Sequence, residues 1–162
     1  MLERIEKSLF EIKDTLLNSQ KIRNNLYYAS TDKDFSGEKI DIGKALVEKY
    51  IVLYPIYNLN GDFSKSLWIQ IVMDSCENSE NNCLIGIARV NIIMDNTKWV
   101  QNNIVYPLNT ANEVIRLLDG KKFSVSNVLQ FDSIVPLAID KQISGYALLF
   151  NFIDGNAEPD NL

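Results

Sequence analysis

The chain has 162 residues, of which 46% are hydrophobic and 23% are charged. A chain of this length forms one domain and buries roughly 70% of its unfolded surface, so it needs no metal or disulfide to fold. The net charge is -5, and Lys121-Lys122 is the longest basic run, which disfavours sequence-specific DNA binding through phosphate contacts. The sequence contains no histidine, which excludes Ser/His or Cys/His nucleophilic pairs and zinc held by His and Cys.

The N-terminal segment mixes charged with apolar residues and does not have the composition of a signal peptide. No apolar run approaches the roughly 20 residues that span a bilayer. We therefore expect a soluble protein that is made in a cytoplasm and has no membrane partner.

The first element is predicted to be an amphipathic helix. Its apolar residues recur at spacings of three and four, which is the pattern of one helical face: Leu2, Ile5, Leu9, Ile12 and Leu16. Phe10 and Leu17 widen this stripe, and Ile22, Leu26 and Tyr27 suggest a second helical segment. The polar stretch 30–43 is predicted to be a loop.

Strands follow the loop. Residues 50–54 are β-branched and aromatic, and Pro55 predicts that this strand lies at an edge or ends there. Alternating residues then predict a long hairpin from strands 67–74 and 84–94. The second strand is apolar on both faces, which predicts a helix on one side and leaves a neighbouring subunit as a possible cover for the other.

Cys76 and Cys83 flank the polar residues 77–82, which are predicted to form the turn of this hairpin. Two reduced thiols are the favoured interpretation, since no CxxC accompanies them, although a disulfide stays open. The acidic residues of the first loop do not have the spacing of an EF-hand, so no metal site is predicted.

A second helix is predicted from Thr110-x-x-Glu113, which has the form of a capping box, to a stop at Gly120. Strands are predicted at 125–131 and 143–153, separated by a turn at 141–142. Strands mostly adjoin strands, which predicts an α+β fold. That fold is a mainly antiparallel sheet carrying a long β-hairpin, with an N-terminal amphipathic helix and a second short helix packed on it. Residues 1–153 are assigned to one domain and 154–162 to a polar C-terminal tail.

The order of elements resembles that of the tail-terminator and head-to-tail joining proteins of tailed bacteriophages. The similarity lies in the leading helix, the long hairpin, the helix at 109–120 that ends in Leu-Leu-Asp-Gly, and the closing strand at 146–152. The resemblance implies a virion protein without enzymatic activity or cofactor, which forms a cyclic ring of 6 or 12 copies. Such a ring would contact other neck, portal or tail-tube proteins and pass DNA as non-specific cargo.

The types of residue enriched at interface centres suggest where such a subunit would make contacts. The candidate contact residues are Tyr54, Trp68, Gln70, Arg89, Asn91 and Trp99. A different class of function also fits the acidity, the size and the missing catalytic groups: a small cytosolic binding module, such as an immunity, inhibitor or adaptor protein. Oligomeric state separates the two hypotheses.

Overall fold

The computed structural model describes residues 2–31, 41–53, 66–78, 84–101, 103–124 and 127–154. Within them the helices are α1 (Leu2–Asn18), α2 (Gln20–Ser30), α3 (Lys44–Val47) and α4 (Tyr106–Leu118). The strands are β1 (Ile51–Val52), β2 (Trp68–Asn78), β3 (Leu84–Asp95), β4 (Val100–Gln101), β5 (Ile104–Val105), β6 (Asn127–Ala138) and β7 (Ile143–Asp154). The fold is α+β, as predicted.

The main sheet has the strand order β1-β2-β3-β7-β6. Antiparallel hairpins join β2 to β3 and β6 to β7, and β3 also pairs antiparallel with β7. The short strand β1 pairs parallel with β2 at one edge of the sheet, which confirms the edge position predicted for 50–54. The strands β4 and β5 form a small separate hairpin. Among the described strands, β1 and β6 therefore form the two edges of the sheet.

The helices cover one face of this sheet, and apolar residues fill the space between the two layers. Strand residues that alternate along the chain contribute to it, among them Ile69, Ile71, Ala88, Val90, Ile92, Leu148, Phe150 and Phe152. Ile12 and Leu16 of α1 and Leu26 of α2 are buried against them. The predicted apolar face of 143–153 is thus confirmed, and so is the predicted stripe of α1 except for Leu2, which is exposed. The other face of the sheet lies outside this cluster.

The capping box predicted at Thr110 is wrong, because α4 begins four residues earlier at Tyr106. Pro107 occupies the first turn, where its missing N–H costs no hydrogen bond. Thr110 is buried within the helix, and its Oγ1 accepts a hydrogen bond from Nδ2 of Asn25 at 3.1 Å. The predicted end is confirmed, since Gly120 has a φ of 72°, a value that glycine adopts without steric cost.

The strands β2 and β6 are longer than predicted. β2 continues to Asn78 after a shift of register between Met73 and Ser75, so Cys76 lies opposite Gly86 in the ladder rather than in a turn. Cys76 is a free thiol, and burial raises its pKa. Cys83 lies outside the described residues, as does most of the predicted hairpin tip.

The second of these strands, β6, runs past the predicted end at 131 to Ala138. A shift of register between Phe131 and Ser133 lets it continue its pairing with β7. Pro136 lies within this extension, and proline is tolerated at the edge of a sheet. The position of β6 at the edge thus explains the difference.

Replacing Gly145 with alanine is expected to lower the free energy of unfolding by about 1–3 kcal/mol. An added Cβ would lie 1.7 Å from the carbonyl oxygen of Ile92 on the neighbouring strand, so the backbone would have to move. Gly43→Ala is the matched control, because a Cβ there meets no atom within 4 Å. Urea denaturation of the two variants checks this, and equal midpoints would contradict the close approach of β7 to β3.

Candidate functional site

Four of the six candidate contact residues lie together on the sheet face that the helices leave uncovered. Gln70 of β2 is directly opposite Asn91 of β3. Trp68 and Arg89 stand two residues away from this pair along their strands, and therefore on the same face. We call these four residues the polar face.

The centre of the polar face is a buried hydrogen bond between two amide side chains. Nδ2 of Asn91 donates to Oε1 of Gln70 at 2.7 Å, and the two residues are only 5% and 6% exposed. Oδ1 of Asn91 is buried without a hydrogen-bond partner among the described residues. The pair fixes the register of the hairpin, since a shift of one residue would separate the two amides.

The margins of the polar face are more accessible. Nη2 of Arg89 lies 2.9 Å from Oδ1 of Asp74, and both side chains are about one-third exposed. Trp68 contacts the ring of Tyr50 edge-to-face, with the centroids 5.3 Å apart. Lys49 places its Nζ 5.0 Å from the centre of the Tyr50 ring. Charged and aromatic groups are thus available beside the buried amide pair.

Trp99 is not part of the polar face. Its ring lies 5.6 Å from that of Tyr146, which shares the inner face of β7 with Leu148 and Phe150, and its Nε1 donates to the carbonyl of Met94 at 3.4 Å. Tyr54 lies outside the described residues. The assignment of the six residues to subunit contacts stays a prediction.

The junction of α1, α2 and α4 carries a buried carboxylate that the sequence did not reveal as a contact. Glu113 accepts hydrogen bonds from Oγ of Ser19 at 2.9 Å and from Nη2 and Nε of Arg116 at 2.6 and 3.0 Å. Nζ of Lys21 lies 3.9 Å away. A cleft of about 620 Å³ opens beside this group. The sequence predicted that Glu113 caps its own helix, so its contact with Ser19, which is distant in sequence, was not expected.

Replacing Glu113 with glutamine is expected to lower the free energy of unfolding by about 1–3 kcal/mol at pH 7, because charge-assisted hydrogen bonds are lost. The hydrogen bond from Arg116 is the main cause that holds the pKa of Glu113 below its ordinary value of 4.5. A lowered pKa means that this stabilisation is complete above 4.5 and disappears as the pH falls through the pKa of the folded state.

Chemical denaturation of the wild type and the variant from pH 7 to pH 3 measures this difference. The difference in the free energy of unfolding between the two proteins should decrease as the pH falls. A difference that is constant from pH 7 to pH 3 would show that the charge of the carboxylate does not contribute to stability.

The outer side of α1 exposes apolar side chains at the β1 edge of the sheet. Leu2 is 76% exposed and Phe10 is 50% exposed. They line a groove of about 320 Å³ together with Ile5, Glu6, Leu9 and Leu53. We call this feature the α1 groove. The helical stripe predicted from the sequence is therefore wider than the face that the sheet covers.

The opposite edge of the sheet also exposes apolar side chains. Val135 and Ile139 are 44% and 41% exposed, and Leu137 between them is partly exposed. The three point to the same side, because they are every second residue of an extended segment that pairs with β7. We call them the edge strip. The strip was not predicted, because the strand predicted here ends at residue 131.

No protein-family model matches the chain, and no curated protein matches it either. Among the described residues, no group of three or more His, Cys, Asp and Glu side chains could hold a metal ion. Within the same ranges, none of the helices has both the length and the apolar character required to cross a bilayer.

Proposed function

We propose that this protein is a structural subunit that assembles into a homo-oligomeric ring in the neck or tail of a tailed bacteriophage. One observation carries the proposal: the two opposite edges of a single sheet both expose apolar side chains. The α1 groove lies at the β1 edge, and the edge strip lies on β6. The kind of ring is proposed from the order of elements, which resembles that of tail terminators and head-to-tail joining proteins.

Two different apolar surfaces at opposite ends of a molecule suit a head-to-tail contact. In such a contact one surface of a subunit meets the other surface of the next, and a ring forms if the rotation closes. A protein that forms a twofold dimer needs only one self-complementary surface. The separation of the α1 groove from the edge strip across the width of the sheet therefore supports a ring.

The net charge of -5 is compatible with a ring around DNA. An acidic wall repels phosphates and so avoids the non-specific binding that a basic wall would cause. The proposed role in the virion is to join head and tail around the channel and to let DNA pass without gripping it.

Mass photometry and negative-stain electron microscopy of the purified chain test the proposal. We expect particles of several subunits of 18.5 kDa and ring-shaped images with a central hole. If the chain alone is monomeric, neck and tail-tube proteins encoded by neighbouring genes should be added. A monomer that persists at high concentration and with those partners would refute the ring and favour the acidic binding module.

A further inference from the structure

We propose that the edge strip of one subunit packs into the α1 groove of the next copy. This inference rests on the proposed ring and specifies its interface. Val135, Leu137 and Ile139 would contact the groove walls that Leu2 and Phe10 provide. The occupant of the groove is therefore a second copy of this chain.

The backbone of β6 is poorly suited to pair with another strand, so we expect the contact to use side chains. The amide of Ile139 donates to the carbonyl of Ile143 at 3.0 Å. Because inward and outward positions alternate in an antiparallel pair, Ile134, Pro136 and Ala138 direct their backbone groups away from β7. Pro136 has no N–H, which removes the central donor that an added strand would require.

The other half of the β6 edge is already occupied. The amide of Leu129 donates to the carbonyl of Lys121 at 3.1 Å, and the amide of Gly120 donates to the carbonyl of Leu129 at 2.8 Å. The amide of Phe131 donates to Oδ1 of Asp119 at 2.9 Å. Beyond Phe131, β6 therefore offers a partner the apolar side chains of the edge strip and a backbone edge that is interrupted at Pro136.

The sizes of the two surfaces agree. A large apolar side chain has on the order of 200 Å² of surface, so the exposed parts of Leu2 and Phe10 amount to about 250 Å². A stable interface buries about 800 Å² on each partner, with an apolar centre and a polar rim. On the same scale the exposed parts of Val135 and Ile139 amount to about 170 Å², and Leu137 adds to them, so each surface supplies part of such a centre.

Charged side chains border both surfaces. Glu3, Glu6 and Lys7 are exposed on α1 next to the groove, so acidic groups are in the majority there. Lys141 is exposed in the turn that follows the edge strip, whereas the carboxylate of Asp140 accepts hydrogen bonds from the amides of Gln142 and Ile143 at 2.6 and 2.8 Å. An attraction between Lys141 and the α1 glutamates would orient the incoming subunit more than it would add affinity.

Two single substitutions and their mixture test the contact. Phe10→Asp damages only the α1 groove, and Val135→Asp damages only the edge strip. We expect each variant alone to be monomeric at concentrations where the wild type forms rings. Mixed in equal amounts, the two can form one intact contact, from the strip of the Phe10→Asp copy to the groove of the other. The mixture should therefore give dimers of about twice 18.5 kDa and nothing larger.

Leu46→Asp is the matched control, because Leu46 is 57% exposed and belongs to neither surface. It should form rings as the wild type does. Circular dichroism and urea denaturation verify folding, and the milder Phe10→Ala and Val135→Thr replace any variant that fails to fold. These should raise the concentration at which rings appear by tenfold or more.

The outcomes separate this contact from the ring itself. Rings formed by the wild type and equally by both variants would overturn the contact and leave the ring proposal intact. Monomeric variants whose mixture also stays monomeric would show that the two surfaces do not meet each other. A wild type that is monomeric with its neck and tail partners would refute both proposals.

Discussion

Replacing Phe150 with alanine is expected to lower the free energy of unfolding by about 3–5 kcal/mol. Phe150 is fully buried in β7, opposite Ala88 of β3 and Phe131 of β6. Its ring contacts that of Phe131 edge-to-face, with the centroids 5.6 Å apart. Truncation would leave a cavity in the middle of the sheet, where three strands meet and cannot collapse independently. Urea denaturation followed by circular dichroism measures the loss.

Phe10→Ala is the control for this prediction. The same atoms are removed from a side chain that is half exposed, so the stability of the monomer should change by no more than about 0.5 kcal/mol. If the two alanine variants had similar unfolding midpoints at a concentration where the chain is monomeric, the burial of Phe150 would be contradicted. Comparing Phe150→Ala with Phe10→Ala also distinguishes a residue that stabilises the fold from one that we propose stabilises the assembly.

The elements that were predictable from the sequence are those whose apolar period agrees with their burial. The spacing of Ile5, Leu9 and Ile12 defined α1, because one helical face is covered by the sheet. The alternation of Leu148, Phe150 and Phe152 defined β7 for the same reason. In both cases the local pattern and the tertiary contact require the same residues.

Elements were missed where a local signal and a tertiary contact disagree. Thr110 and Glu113 have the form of a capping box, yet both are buried inside α4, where Asn25 and Ser19 contact them from α2 and from the turn before it. Pro136 has the form of a strand terminator, yet it lies within β6. Neither outcome follows from neighbouring residues alone, since each depends on a contact or an edge position set by the whole fold.

The candidate contact residues illustrate a second limit. Alternation puts Trp68 and Gln70 on one face of their strand and Arg89 and Asn91 on one face of theirs, and the register of the hairpin brings the two pairs to the same side of the sheet. Alternation does not reveal how far each side chain is exposed, and Gln70 and Asn91 turn out to bind each other. The exposed groove and strip at the edges became visible only when the order of strands was known.

Replacing Asn91 with aspartate is expected to lower the free energy of unfolding by about 3–5 kcal/mol at pH 7. The substitution keeps the size of the side chain, removes the N–H that Oε1 of Gln70 accepts, and places a carboxylate where the side chain is 5% exposed. Burial should raise the pKa of the new carboxyl in the folded state. The loss should therefore shrink as the pH falls through that raised pKa, because the protonated acid is uncharged and can donate to Gln70.

The matched control is Asn112→Asp, the same chemical change on the exposed side of α4, which should alter the stability by about 0.5 kcal/mol or less. Denaturation of both variants at pH 7 and pH 4 measures the effect. If Asn91→Asp were as stable as the wild type at pH 7, the amide pair would have to be open to water, and the hairpin register would not depend on it. If the loss persisted unchanged at pH 4, the buried charge would not be its cause. A loss that is large at pH 7 and small at pH 4 would show that Gln70 and Asn91 lie in a desolvated layer on this face of the sheet, where they stabilise the fold.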